Sequence, residues 1–454
     1  MKARVFFDDS LPLLAQTVSS ELGEAMLSAG VTLRDISGRL AFFCPPGISE
    51  DAALRLERRL QEVLGPYADP DRAVVDPNTL GADAILKDGA ARRLEVGGRA
   101  LKLVDRRLVG ADWLRTPASE AGPPARFVFA SLKGGVGRST AICVAAAHLA
   151  TRGLRVLCVD LDLEAPGLGA MLLSDETLPQ FGMVDALVEN GLGGIDEAFV
   201  ADLLGPSSLA TLGGRIDVIP ALGIRSRQNP ADVLAKLARA YAEDIGSDGS
   251  VATVLDQVRT LVDRIAMPDR YDAVLIDSRA GLHEAGAAAV IGLGAEVFLF
   301  GRDEEQTFQG YSFLLAHLGR LLEHSAARPE WLERLTPVQA LAPVDAAARG
   351  VFRQRWETMV RATGLLPALP GQDDIQLPVV FQDVPWVDDL PDERVLPEDA
   401  SLLQPLAILR NSEYDGFDPV RRQDLLNRTL YDAVFRDLIS RIDAAISTPS
   451  EAVQ

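Results

Sequence analysis

Three short stretches of this chain bring together residue types that can hold a polyphosphate and a divalent cation. The first is Lys133, Gly134, Gly135, Val136, Gly137, Arg138, Ser139 and Thr140. It follows an apolar run at 127–131 and precedes a helical pattern from 139, so a strand, a glycine-rich loop and a helix succeed one another. The glycines let backbone N–H groups turn inward and approach phosphate oxygens with no Cβ in the way. The helix N-terminus adds a dipole that favours anions, and Ser139 offers a hydroxyl to Mg²⁺. The second stretch is RVLCVDLDLEAPGLG, in which a hydrophobic strand delivers Asp160 and Asp162 at its C-terminal end, where open α/β sheets bind ligands. In the third, YDAVLIDSRAGLHEAG, four apolar residues run into Asp277, whose carboxylate can hold a Mg²⁺-bound water. Each piece alone is a modest signal. In this order they point to one nucleotide site.

The elements that must position these residues follow from periodicity. Apolar runs at 127–131, 154–160, 216–221, 273–277, 296–301, 337–343 and 378–384 read as strands. Helical patterns occupy 139–152, 251–266, 284–293, 305–323 and 346–363. Continuous apolar strands joined by helices predict an α/β domain with a mostly parallel sheet covered by helices on both faces. A last helix is expected over 424–446, with Leu426, Leu430, Val434, Leu438 and Ile442 as its buried stripe.

The segment before the glycine loop reads differently. TPASEAGPP, residues 116–124, suits neither helix nor strand and marks a linker. Ahead of it, residues 1–115 predict a small α+β domain. It has a helix over 11–27, a hairpin turning at Gly38, a helix over 50–64 capped by Ser49, and a hairpin turning at Gly97-Gly98 that sets Leu94 opposite Leu101. The organisation is therefore 1–115, linker 116–124, nucleotide domain 125–447 and tail 448–454.

KGGVG followed by a cation and Ser-Thr resembles the ParA/MinD family of deviant Walker ATPases, a group of P-loop NTPases, and KGGVGR resembles a variant subgroup of it. The resemblance extends over roughly 125–445 through the strand RIDVIPA, the strand EVFLFG and the segment VVFQDVPWVDDL. It implies Mg²⁺ and ATP as cofactors bound by residues 133–140, with Ser139, Asp160 and Asp277 around the metal. It also implies a catalytic Lys133 that reaches across an ATP-dependent homodimer, and an Asp162 that orients the attacking water. Arg138 stands where the usual loop has lysine; it keeps the charge and can take two phosphate oxygens, but its size alters the geometry and points to slow hydrolysis. Arg279 stands where the family commonly has proline, as a phosphate contact or a plain surface charge. LAPVDAAARG in place of a guanine motif favours adenine. The stretch 223–269 is longer than the family leads one to expect.

Composition limits what the site can serve. The net charge is −20, of which residues 1–122 carry −2 and the remainder −18, so non-specific duplex binding by the larger part is disfavoured. Arg353, Arg355 and Arg361, and separately Arg421 and Arg422, are modest basic clusters read as solvated helix faces. Arg92, Arg93, Arg99, Lys102, Arg106, Arg107 and Arg115 make segment 92–115 basic; it is either a docking surface or a solvated hairpin. Trp113 is expected in the core of the small domain. The three cysteines lack metal or nucleophile spacing and read as buried reduced thiols of a cytoplasmic protein. No secretory signal or membrane span is read. Family branches built on tyrosine-rich tails, paired cysteines, a basic membrane helix or a glutamine-processing cysteine lack their residues here. The expected function is a switch that regulates a partner protein through residues 1–115. The alternative is a nucleotide-gated sensor or scaffold with little turnover in a multi-gene bacterial system, such as one for anti-phage defence. A DNA-partitioning ATPase ranks below both, and nucleic acid is not the favoured partner.

Overall fold

The computed structural model describes residues 5–107, 110–192, 194–209, 214–245, 251–321, 329–365 and 400–447. The chain divides into two compact units, one up to Ala111 and one from Asp112 onward.

The smaller unit is a five-stranded sheet with helices. Its strands are β1 (Val31–Arg34), β2 (Leu40–Phe43), β3 (Val74–Val75), β4 (Arg92–Val96) and β5 (Arg99–Asp105), in the order β3-β2-β1-β5-β4. Both predicted hairpins form. Val31 pairs with Phe43, and Leu94 with Leu101 across Gly97 and Gly98, whose positive φ values of 57° and 73° make the two-residue turn. A parallel pairing of β1 with β5 joins the hairpins into one sheet. The helix expected over 11–27 is two helices, Phe7–Leu22 and Glu24–Ala29, because Gly23 between them adopts φ 92°. Ser49 caps the helix Glu50–Leu64 by accepting from the Ala52 amide. Leu14, Val18, Leu56 and Leu60 pack on the Phe42 and Leu101 face of the sheet; Val31, Phe43 and Val104 face the other way.

The larger unit holds β6 (Ala125–Ser131), β7 (Arg155–Leu161), β8 (Gly205–Pro206), β9 (Arg215–Ile219), the two-residue pair β10 (Asp244–Ile245) and β11 (Val251–Ala252), β12 (Ala273–Ser278), β13 (Glu296–Gly301), β14 (Leu335–Ala342) and β15 (Leu406–Leu409). Eight of them form one sheet in the order β15-β14-β13-β6-β12-β7-β9-β8, parallel except at β8. Side chains alternate across it. Phe127, Phe129, Cys158, Leu275 and Phe298 face the helices Arg138–Thr151 and Arg428–Ser447. Val128, Ala130, Val159, Ile276 and Leu299 face the helices Val254–Ile265, Glu305–Arg320 and Ala346–Ala362. This is the mostly parallel α/β sheet covered by helices on both faces that the sequence predicts.

Several details differ from expectation. Trp113 packs in the core of this larger unit, not in that of the smaller one, and its carbonyl accepts from the His317 ring 2.7 Å away. Segment 116–124 is stitched to the same unit: the Ala118 amide donates to the Ile291 carbonyl and the Ala121 amide to that of Gly294. The expected strand 378–384 and the loop after it lie outside the described residues. The edge strand is β15, four residues too short to stand out in the sequence. The stretch 223–269 builds the helices Ile224–Gln228, Val233–Ala240 and Val254–Ile265 and the β10–β11 pair. All three cysteines are free and buried, and among the described residues no helix is long and apolar enough to cross a membrane.

The last helix buries Val434, Leu438 and Ile442 as expected, but Tyr431, Phe435 and Ile439 complete the stripe and Leu430 is exposed. A polar tie fixes it to the helix behind the glycine loop. The buried His148 ring meets the Tyr431 hydroxyl at 2.8 Å and Asp443 at 2.9 Å, and Arg152 also pairs with Asp443. Tyr431→Phe strands one imidazole nitrogen without a partner. It is expected to lower stability by about 1–3 kcal/mol in urea unfolding; a loss within error of zero contradicts this role for the hydroxyl.

Candidate functional site

Parallel register lines up the chemistry. β6, β7 and β12 are neighbours whose C-terminal ends lie together. Asp277 of β12 sits opposite Asp160 of β7 and opposite Phe129 of β6. The glycine loop therefore leaves β6 next to the Asp277 end of β12, with the Asp160 end of β7 one strand further.

The loop is shaped by backbone conformation. Gly135 and Gly137 adopt φ 74° and 83°, a region that side-chain-bearing residues rarely enter. A Cβ added at Gly134, Gly135 or Gly137 meets no atom within 4 Å, so the concave side is open. The Ser131 hydroxyl closes the start of the turn by donating to the Lys133 carbonyl at 2.8 Å. Among the described residues, no backbone carbonyl engages the amides of Gly134 to Gly137. Val136 packs into the core, anchoring the loop from below. Arg138 opens the helix Arg138–Thr151, with Ser139 and Thr140 in its first turn.

The carboxylates and Arg138 form one buried cluster. Asp160 is fully buried, and its two oxygens accept from the amides of Asp162, at 3.0 Å, and Leu168, at 3.1 Å. It thus fixes the turn that carries Asp162. Asp277 accepts from the Ser139 hydroxyl at 2.5 Å through Oδ2. Its Oδ1 is buried with no hydrogen-bond partner and lies 3.6 Å from Arg138 Nε, too far for a hydrogen bond but within ion-pair range. The Arg138 side chain is 7% exposed and points inward. It donates to Asp162 at 3.2 Å and to the Ser278 carbonyl. Burial pushes the Asp160 carboxyl well up, with the Asp277 charge adding to it. Burial also raises Asp162 against the pull of Arg138. It pushes Asp277 up to about 6, with Arg138 and the Ser139 bond opposing.

Lys133 and Arg279 lie at the margin. Lys133 Nζ donates to Glu304 of its own chain at 3.1 Å and is half exposed. Arg279 pairs with Glu164, which links the turn after β7 to the turn after β12. Glu304, Glu164 and the Ser278 carbonyl were not singled out from the sequence. The acidic side chains there lack any spacing signal, and a backbone acceptor has none at all.

The residues present fit a magnesium nucleotide. The loop offers open amides and an unobstructed concave face, and Asp277 keeps one acceptor atom without a donor. Among the described residues no three His, Cys, Asp or Glu side chains converge to hold a metal ion on their own. Ser139 and Asp277 are the residues that would line the metal.

The raised carboxyl of Asp277 has a consequence for stability. The folded chain keeps this proton up to about pH 6, whereas an unfolded aspartate releases it near about 3.9. Between these values the folded state binds more protons, so stability from this group falls as pH rises, and the cost is fully present above about pH 6. Asp277→Asn is expected to raise the thermal midpoint of the nucleotide-free chain at pH 7 and to flatten its decline across this window. A profile superimposable on the wild type contradicts it.

Residues 127–268 match the family described as CobQ/CobB/MinD/ParA nucleotide binding domain. Among solved structures, the MinD cell division protein of Aquifex aeolicus is 15% identical, with a TM-score of 0.40 over 70% of this chain and 97% of that one. A ParA family ATPase from Chlorobium tepidum is 16% identical, with a TM-score of 0.39 over 72% and 98%. Cobyrinic acid a,c-diamide synthase of Mycobacterium smegmatis, with bound ATP analogue and magnesium, is 19% identical, with a TM-score of 0.35 over 51% and 80%. No curated protein matches the chain. The matched segment, residues 127–268, carries the glycine loop and the turn after β7 with Asp160 and Asp162, and it ends before Asp277.

Proposed function

We propose that this chain is a Mg·ATP-binding switch of the ParA/MinD type, in which bound ATP closes a homodimer and the small unit passes the state to a partner protein. The observation that carries the reading is the meeting of the open glycine loop, Ser139, Asp162 and Asp277 at the ends of three adjacent parallel strands. The loop amides and Arg138 take the phosphates, Ser139 and Asp277 the metal, and Asp162 the attacking water. Asp160 supports from behind, because both its oxygens are held by backbone amides. Lys133 lies on an exposed rim, as a residue that reaches a second copy needs to.

A second reading, a nucleotide-gated sensor or scaffold with little turnover, is favoured by one contact. Asp162, the residue assigned to water, is engaged by Arg138 at 3.2 Å. A carboxylate held this way is a poor proton acceptor. Comparing ATP affinity with ATP turnover separates the two.

Titration of the full chain with ATP and Mg²⁺ in a calorimeter is expected to give saturable binding; no binding removes both readings. Lys133→Ala is expected to keep binding within about threefold while losing the ATP-dependent dimer in light scattering, because an exposed ion pair such as that with Glu304 contributes little to the fold. A dimer that persists in this variant rejects the cross-subunit role. Asp162→Asn is expected to keep binding and to lower turnover by about tenfold or more, in line with removing a positioned acid–base group; unchanged turnover rejects that role.

A further inference from the structure

The cluster at the ends of β7 and β12 is short of positive charge. Asp160, Asp162 and Asp277 are each no more than 9% exposed. The cation buried among them is the Arg138 guanidinium, which reaches Asp162, the Ser278 carbonyl and, more loosely, Asp277. Arginine cannot escape the cost of burial by losing its proton, so it stays charged and seeks acceptors. A charge buried this way is held by its partners, and removing one side leaves the other unpaired at high cost.

The same fork is the group whose geometry suits phosphate, which it binds through two parallel N–H donors. In the described chain that fork is turned away from the glycine loop and into the acidic turns. A phosphate ester seated on the loop competes for it with Asp162 and Ser278. Asp277 is already the weaker partner, at 3.6 Å with a buried oxygen that has no donor.

We infer that Arg138 is the resident counter-cation of the Asp162–Asp277 pair, so that the chain keeps these carboxylates closed to a divalent ion until a phosphate ester engages the guanidinium. The order of assembly is therefore phosphate first and metal second. The arginine at this position, rather than a lysine, sets that order: its planar fork spans two acceptors at once, and a single ammonium does not. This rests on the reading of the site as a Mg·ATP site and adds a residue-level device to it.

The test uses Mn²⁺ alone as the probe, with no nucleotide, on the full chain. Free Mn²⁺ is counted by electron paramagnetic resonance. Wild type is expected to show only weak binding, and Arg138→Gln to bind one Mn²⁺ at least about tenfold more tightly, as removal of a buried cation beside two carboxylates requires. Mn²⁺ is also expected to raise the thermal midpoint of Arg138→Gln and to leave that of wild type unchanged. Equal Mn²⁺ affinity in the two proteins, whether both bind or neither does, overturns the inference. Should Arg138→Gln fail to fold, Arg138→Lys carries the same comparison, with tighter Mn²⁺ binding than wild type expected and equality overturning it. A separate titration of wild type with Mg·ATP keeps the two claims apart. Absence of ATP binding removes the functional reading, whereas normal ATP binding with equal Mn²⁺ affinities removes only this inference.

Discussion

Three aspartates are buried where β7 and β12 end, with one arginine buried among them, and much of the local architecture is arranged around that imbalance. A carboxylate out of water needs donors or a cation. Asp160 is met by two backbone amides, Asp277 by the Ser139 hydroxyl, and Asp162 by the Arg138 guanidinium. The donors come from two segments, the turn after β7 and the first turn of the helix Arg138–Thr151. The turn after β7, the first turn of the helix Arg138–Thr151 and the end of β12 are thereby held to one another. The same bonds that neutralise the charge also fix the shape of the site.

The scaffold explains why that shape holds without a rigid loop. β6 lies between β12 and β13, and helices on the two sides of the sheet bury its two faces. The strand ends are therefore set by register, residue against residue, and the loop inherits its starting point. Gly135 and Gly137 then turn the chain through conformations that need no side chain. Val136 is the inward anchor between them. On the far side, the His148, Tyr431 and Asp443 tie holds the other end of the loop's helix to the C-terminal helix. Movement at the phosphate end thus works against a helix secured at its opposite end.

Most of this scaffold was legible in the sequence, and the reason is chemical. Apolar runs such as AVLID and EVFLFG can only be buried strands in a sheet covered on both sides, and the structure has them as β12 and β13. Two hairpin turns and the Ser49 cap were legible because their residues have few alternatives. What escaped was short or depended on direction. β15 has four residues and β8 has two, too few for a period. Trp113 was assigned to the wrong core because GADWL contains nothing that says which unit it packs into. Gly23 breaks a helix whose apolar spacing runs on through it. The inward turn of Arg138 was invisible for a related reason: a sequence reports that a cation follows the loop, not which way it points.

The basic residues show why charge counting needs partners. Segment 92–115 reads as either a docking surface or a solvated hairpin, and in the structure Arg99 pairs with Glu24, Arg106 with Asp88, Arg107 with Asp105 and Arg115 with Asp256. In the larger unit Arg355 meets Asp303 and Glu305, Arg361 meets Glu357, and Arg422 meets Glu413 and Asp424. A surface arginine already paired with a carboxylate offers a duplex backbone little new energy, since one solvated contact replaces another. A duplex backbone needs several free cations along one face to release its counterions. On the smaller unit Arg93 and Lys102 stand opposite each other in the β4–β5 register, while Arg92, one residue along, projects to the other face of the strand. The pair is a patch about the size of a side-chain cluster rather than a groove. Two facing cations are too few to follow a nucleic-acid backbone, which needs several along one face.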